Sequence, residues 1–145
     1  MGEGTLLHIP NYEFENGERK NKFFLIIREI QHFQLIVSLP SSIEYFPSDT
    51  EVTHGCIELE KAQQTTYCFK ADKVIASDTV FSFKKDTYLH GCWLHGIDKT
   101  AFFQKYSVEN LHYEVMGVID QHELDAVKKC FKNSCVVKNK YKRLL

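Results

Sequence analysis

Long apolar runs are missing from this sequence. The longest, Phe23–Ile27, is five residues, where a bilayer-spanning helix needs about 20, so no membrane segment is expected. The opening residues Met1-Gly2-Glu3-Gly4-Thr5-Leu6-Leu7 lack a basic flank and an extended apolar core, and they do not read as a secretory signal. Cysteine is sparse and odd in number, with five residues and no paired CxxC unit. That pattern argues against a disulfide framework and for a reducing, cytoplasmic setting. A glycine-rich phosphate loop, a GxSxG elbow and an HExxH helix are all lacking, which removes the nucleotide-binding, serine-hydrolase and zincin classes their chemistry defines. Only three prolines and seven glycines interrupt the 145 residues.

Aromatic residues are abundant, with eleven Phe and seven Tyr, and aromatic enrichment suits strands more than helices. The length fits one domain, residues 1–145, able to bury a core without covalent staples. Charge is unevenly spread. Residues 128–145 hold seven of the 18 basic residues and none of the 19 acids, leaving eleven bases against nineteen acids elsewhere. The basic end reads equally as a solubilising tail or as a surface for an anionic partner.

The pattern predicts a mainly β chain. Thr5–Ile9 reads as a strand, and Asn16-Gly17 as a tight turn, because both residues tolerate positive φ. Phe23–Ile30 reads as a strand buried on both faces. Phe33, Leu35, Val37 and Leu39 alternate with Gln34, Ile36 and Ser38 as a period-two strand, stopped at Pro40. After a loop over 40–53, short strands are expected at Cys56–Leu59, Thr66–Phe69, Val74–Ala76 and Val80–Phe83, with a last one near Tyr113–Gly117. Asp98 is placed to cap a short helix reaching Tyr106. A second helix, 120–133, puts Leu124, Val127 and Phe131 on one face, with Asp120 and Glu123 as a reciprocal capping box. A basic tail, 134–145, follows.

Several residue groups could carry chemistry. The triplets His54-Gly55-Cys56 and His90-Gly91-Cys92, with His95 close behind, place imidazole and thiol on one face of an extended strand, as zinc or a Cys–His nucleophile pair would need. Their spacing matches no standard zinc motif, and a buried cysteine is usually a small hydrophobe, so no cofactor is expected. Carboxylates such as Glu58 and Glu60 read as a solvated face. The charged turn Glu13–Lys22 and the polar strand end Pro40-Ser41-Ser42 could combine cations and hydroxyls around a phosphate.

The order of these features resembles MazF/PemK-type toxins. Gly4-Thr5-Leu6-Leu7 is similar to the family's glycine-led first strand, Phe14-Glu15-Asn16-Gly17-Glu18-Arg19-Lys20-Asn21-Lys22 to its acidic-glycine turn and basic segment, and Leu39-Pro40-Ser41-Ser42 to its Thr-Ser strand end. Met116-Gly117-Val118-Ile119-Asp120, with Glu123-Leu124 and Ser134, looks like the closing strand and helix of some members. The resemblance implies a small SH3-like antiparallel barrel, a homodimer, metal-independent cleavage of single-stranded RNA, and silencing by an acidic antitoxin. Carried over by residue, Lys22 and Ser41 would be catalytic, with Arg19, Lys20 and Ser42 binding substrate. Lys22 stands where the family has arginine, Phe23 where it has proline and Ser41 where it has threonine. Lysine keeps the charge but loses the bidentate fork. The general base is left open, with His8, His54 or a nearby glutamate as candidates. The alternative is a catalytically inactive barrel that binds a protein or nucleic acid, and a third reading is a zinc-stabilised accessory domain.

Overall fold

The computed structural model describes residues 1–39, 51–59 and 63–145. Along the chain run β1 (Thr5–Glu13), β2 (Arg19–Ile30), β3 (Phe33–Leu39), β4 (Gly55–Leu59), β5 (Gln64–Phe69), β6 (Thr87–His90), β7 (His95–Asp98), α1 (Lys99–Lys105), β8 (Glu114–Val118), α2 (Gln121–Lys132) and α3 (Asn139–Lys142). A 3-10 turn, Gly91–Trp93, joins β6 to β7. Five strands form one antiparallel sheet in the order β7-β3-β2-β1-β8, and β4-β5-β6 form a second. The mainly β architecture with a C-terminal amphipathic helix is therefore present.

Strand β2 organises both cores. Phe24, Leu25, Ile26 and Ile27 are no more than 2% exposed, as an uninterrupted apolar strand in mid-sheet requires. Leu25 and Ile27 face a core shared with Leu6, Val37, the β5 residues Tyr67 and Phe69, and Leu124, Val127 and Phe131 of α2. Phe24 and Ile26 face the opposite way, against Leu7, Ile9, Ile36, Phe102 of α1 and Tyr106, which ends that helix. Each fully buried side chain of this size contributes about 1.5–3 kcal/mol. Helix α1 begins where the sequence places it, with the Ala101 N–H donating to Asp98 Oδ1 at 2.9 Å. The β1–β2 turn has Gly17 at φ +85°, and Glu18 N–H donates to Asn16 Oδ1 at 3.0 Å.

Strand β3 is covered on both faces, since Gln34 is as buried as its neighbours Ile36 and Val37; its amide donates to Glu29 and to the Met1 carbonyl. Four expectations need correction. Residues 74–83 form no strand, only a bridge between Ala76 and Phe81, because Val80 turns the chain at φ +54°. Thr87–His90 and His95–Asp98 are strands that the pattern did not reveal. Asp120 precedes α2 without capping it: its carboxylate accepts from the Ser77 N–H and hydroxyl at 2.9 and 2.8 Å, and Glu123 turns inward instead of back. Finally, Cys56 of β4 and Cys130 of α2 are joined in a disulfide across 74 residues, with Cα atoms 5.5 Å apart. That bond removes the cysteine argument for a reducing compartment. Among the described residues no helix is long and apolar enough to cross a membrane.

The outer edge of β8 is occupied. Val118 N–H donates to Asp78, and the Thr79 hydroxyl donates to the Met116 carbonyl at 2.7 Å. Asp120 N–H reaches the Ile75 carbonyl at 2.8 Å.

Candidate functional site

On the α1 side of the five-stranded sheet, near its β1–β2 turn, lies an open cleft of about 560 Å³ lined by Tyr12, Phe14, Glu15, Asn16, Lys22, Phe24, Trp93 and His95. The strands assemble it simply. Tyr12 pairs with Lys20 and Ile9 with Lys22 across β1 and β2, so Lys20, Lys22 and Phe24, two apart, share one face. His95 comes from β7, opposite Ile36 of β3, and Trp93 from the 3-10 turn before it.

Lys22 is the centre of this arrangement. Its Nζ sits 5.5 Å from the Phe14 ring centroid and 5.4 Å from that of Trp93, within range of cation–π attraction to both. Burial pulls its ammonium below the ordinary lysine range, and the charge of Lys20 adds to the shift. Tyr12 packs edge-on to Phe14 at 5.2 Å and against Phe24 at 4.9 Å. The imidazole of His95 points Nδ1 at the Trp93 carbonyl, 2.9 Å away. Flat ring faces beside a cation and an imidazole suit a ligand that is both planar and anionic.

The residues nominated from sequence are dispersed. Lys20 accompanies Lys22, though its own ammonium lies 3.6 Å from Glu18. Arg19 pairs with Glu13 at 3.6 Å, and Lys105 meets the same carboxylate at 3.3 Å. Arg19 lines a separate cleft with Pro10, Tyr106 and His112. Ser41 and Ser42 lie outside the described residues, as does Glu60. His8 packs at a tilt on Phe23, ring centroids 4.7 Å apart, and faces Glu114; it does not line the cleft. Trp93, Tyr12 and Phe14 were not nominated as site residues, and His95 was noted only as a neighbour of the second His-Gly-Cys triplet, for zinc or a Cys–His pair and not for this cleft.

The two His-Gly-Cys triplets do not converge. Cys56 is committed to the disulfide. His90 is buried, its Nδ1 2.8 Å from the Thr66 hydroxyl, and burial lowers its pKa. His54 belongs to a buried network: Nδ1 accepts from the Lys70 N–H at 3.2 Å, Nε2 meets Glu123 Oε1, and the Tyr67 hydroxyl donates to Glu123 Oε2 at 3.2 Å. Burial, reinforced by Glu123, pushes the Tyr67 phenol up. Among the described residues no three His, Cys, Asp or Glu side chains stand together as a metal site. No protein-family profile, curated protein or solved structure matches the chain.

Proposed function

We propose that the chain is a MazF/PemK-like protein of the SH3-like barrel type that acts on single-stranded RNA without a metal cofactor. The observation that carries this reading is the cleft in which Lys22 lies between Phe14 and Trp93, with Tyr12 alongside. Single strands expose their bases, and stacking on aromatic faces contributes about 1–3 kcal/mol per base. A phosphate then takes the lysine charge, which also stabilises the phosphorane as negative charge builds on it. Lys20 is the second cation. Arg19 contributes only if it leaves Glu13, an exposed pair that costs little to open. In the same reading Ser41 and Ser42 supply hydroxyls, the chain pairs with itself, and an acidic inhibitor binds the basic end. Of that end's seven basic residues only Lys128 meets an acid among the described residues, pairing with Glu3.

A second reading, a binding module without cleavage, is favoured by one observation: Arg19 and Lys20 both face acids, leaving the cleft better furnished for stacking than for gripping a phosphate.

Trp93 is the only tryptophan and lines the cleft, so its fluorescence reports this site alone. Titration with single-stranded RNA should quench it. Lys22→Ala should weaken binding and reduce the slope of log affinity on log salt by about 0.7. Incubation with RNA in EDTA should give cleavage that both Lys22→Ala and Ser41→Ala reduce. Quenching without cleavage selects the binding module. No quenching, with duplex or single strand, rejects both readings.

A further inference from the structure

The cleft contains an ionisable group that the reading above leaves without a task. A carbonyl oxygen only accepts, so the 2.9 Å contact between His95 Nδ1 and the Trp93 carbonyl places a hydrogen on Nδ1. In the neutral ring Nε2 then carries the lone pair. Among the described residues Nε2 has no hydrogen-bond partner, and the side chain lines the cleft. The backbone on either side is held. His95 is registered against Ile36, and the next N–H, Gly96, donates to the Tyr141 hydroxyl at 3.3 Å. Gly96 is also covered by the Phe33 ring so closely that a Cβ there would come within 2.0 Å of it.

Resting on the RNA reading, we propose that His95 is the general base of the cleft, with Lys22 as its partner acid. Nε2 takes the proton of a ribose 2′-hydroxyl as O2′ attacks the adjacent phosphorus. The P–O5′ bond breaks, its electron pair stays on O5′, and the Lys22 ammonium protonates that oxygen. The products are a 2′,3′-cyclic phosphate and a 5′-hydroxyl. His95 then releases its proton to water and Lys22 regains one, so the cycle closes without an added reactant. An amine drawn below its usual range by burial is a more willing donor.

The other ionisable groups at the cleft are Tyr12 and Glu15 on the β1 side and Lys20 and Lys22 on β2, with Tyr141 reaching in behind Gly96. Glu15 is the rival base, but it stands exposed at the turn, whereas His95 is aimed by the Trp93 carbonyl.

The experiment compares wild type, His95→Gln, His95→Ala and Glu15→Gln in EDTA, reading cleavage of single-stranded RNA and Trp93 quenching separately, with thermal melts to confirm folding. His95→Gln should lose about a hundredfold or more in rate while its affinity stays within about threefold. The wild-type rate should fall on acidification as Nε2 is protonated, and that limb should vanish in His95→Gln. Added imidazole should restore part of the His95→Ala rate, and the product should carry a cyclic phosphate. The assignment is overturned if His95→Gln cleaves within about threefold of wild type, or if Glu15→Gln removes the acid limb. RNA that is bound but not cut by wild type overturns the base assignment and leaves the binding reading standing. RNA that is not bound removes both.

Discussion

Two histidines of this molecule have opposite tautomers imposed by the backbone. His54 Nδ1 accepts from the Lys70 N–H, so its hydrogen sits on Nε2 and is donated to the buried carboxylate of Glu123. His95 Nδ1 donates to the Trp93 carbonyl, so its lone pair is on Nε2, in a ring that lines the cleft. One ring is used up in joining the segment before β4 to α2, and the other keeps a lone pair without a partner among the described residues. A single peptide group, presenting N–H in one case and C=O in the other, divides structural from chemical roles.

The comparison breaks most visibly at Glu123. Glu123→Ala removes the acceptor of both His54 and Tyr67 inside the core and should destabilise by about 2–6 kcal/mol, about 1–3 for each stranded donor, whereas His95→Gln gives up one hydrogen bond of a half-buried ring and should cost about 0.5–1.5 kcal/mol. Urea denaturation of the two variants measures this directly; equal losses would erase the distinction drawn between the rings. Next in size is the disulfide, which ties the same two elements. Closing a loop of 74 residues between Cys56 and Cys130 should contribute about 2–4 kcal/mol. The double variant Cys56→Ser/Cys130→Ser, or wild type in reductant, should lose that amount while Trp93 quenching by RNA is unchanged.

Acid gives the smallest and most graded effect. Burial holds His90 below its ordinary value in the fold, so the unfolded chain takes a proton first. Stability should begin to fall as pH drops below about 6.5. A second decline belongs to carboxylates held low in the fold: Glu29 by Lys99 and Gln34, and Asp86 by the Ala71 N–H and Lys70. Their contribution is complete above the unfolded value of about 4 and is lost as pH falls through the lower folded values. Urea midpoints measured from pH 8 to pH 2 should therefore fall in two stages, and His90→Gln should remove the first.

What was legible in the sequence was local. The apolar run of β2, the alternation of α2 and the Asp98 cap each depend on residues within a turn or two of one another. The positive φ at Gly17 likewise follows from Asn-Gly alone. What was not legible depends on distant encounters: His54 with Glu123 lies 69 residues apart and Cys56 with Cys130 lies 74. Asp120 and Glu123 have the spacing of a capping box, but each found a stronger tertiary partner, Ser77 and His54. The cleft was half visible. Lys22 and the turn beside it were nominated from their charge, but Trp93 and His95 reach them through β7, a four-residue strand with no apolar periodicity to announce it. Arg19, two residues from Asn21 and three from Lys22, was grouped with them by proximity in sequence, yet the pleat sends it to the other cleft.

An exposed sheet edge is a template, offering a row of donors and acceptors to any extended chain that comes alongside. On β8 the C-terminal part of that row is already answered by residues 75–79: Asp78 and Thr79 take Val118 and Met116, and the Ile75 carbonyl takes Asp120 as the strand leaves the sheet. Strand addition, the simplest way for a foreign segment to enlarge a sheet, is therefore obstructed at the Met116–Val118 end of β8. Whatever joins this protein at that end must do so through side chains, which turns a generic, sequence-blind surface into a selective one.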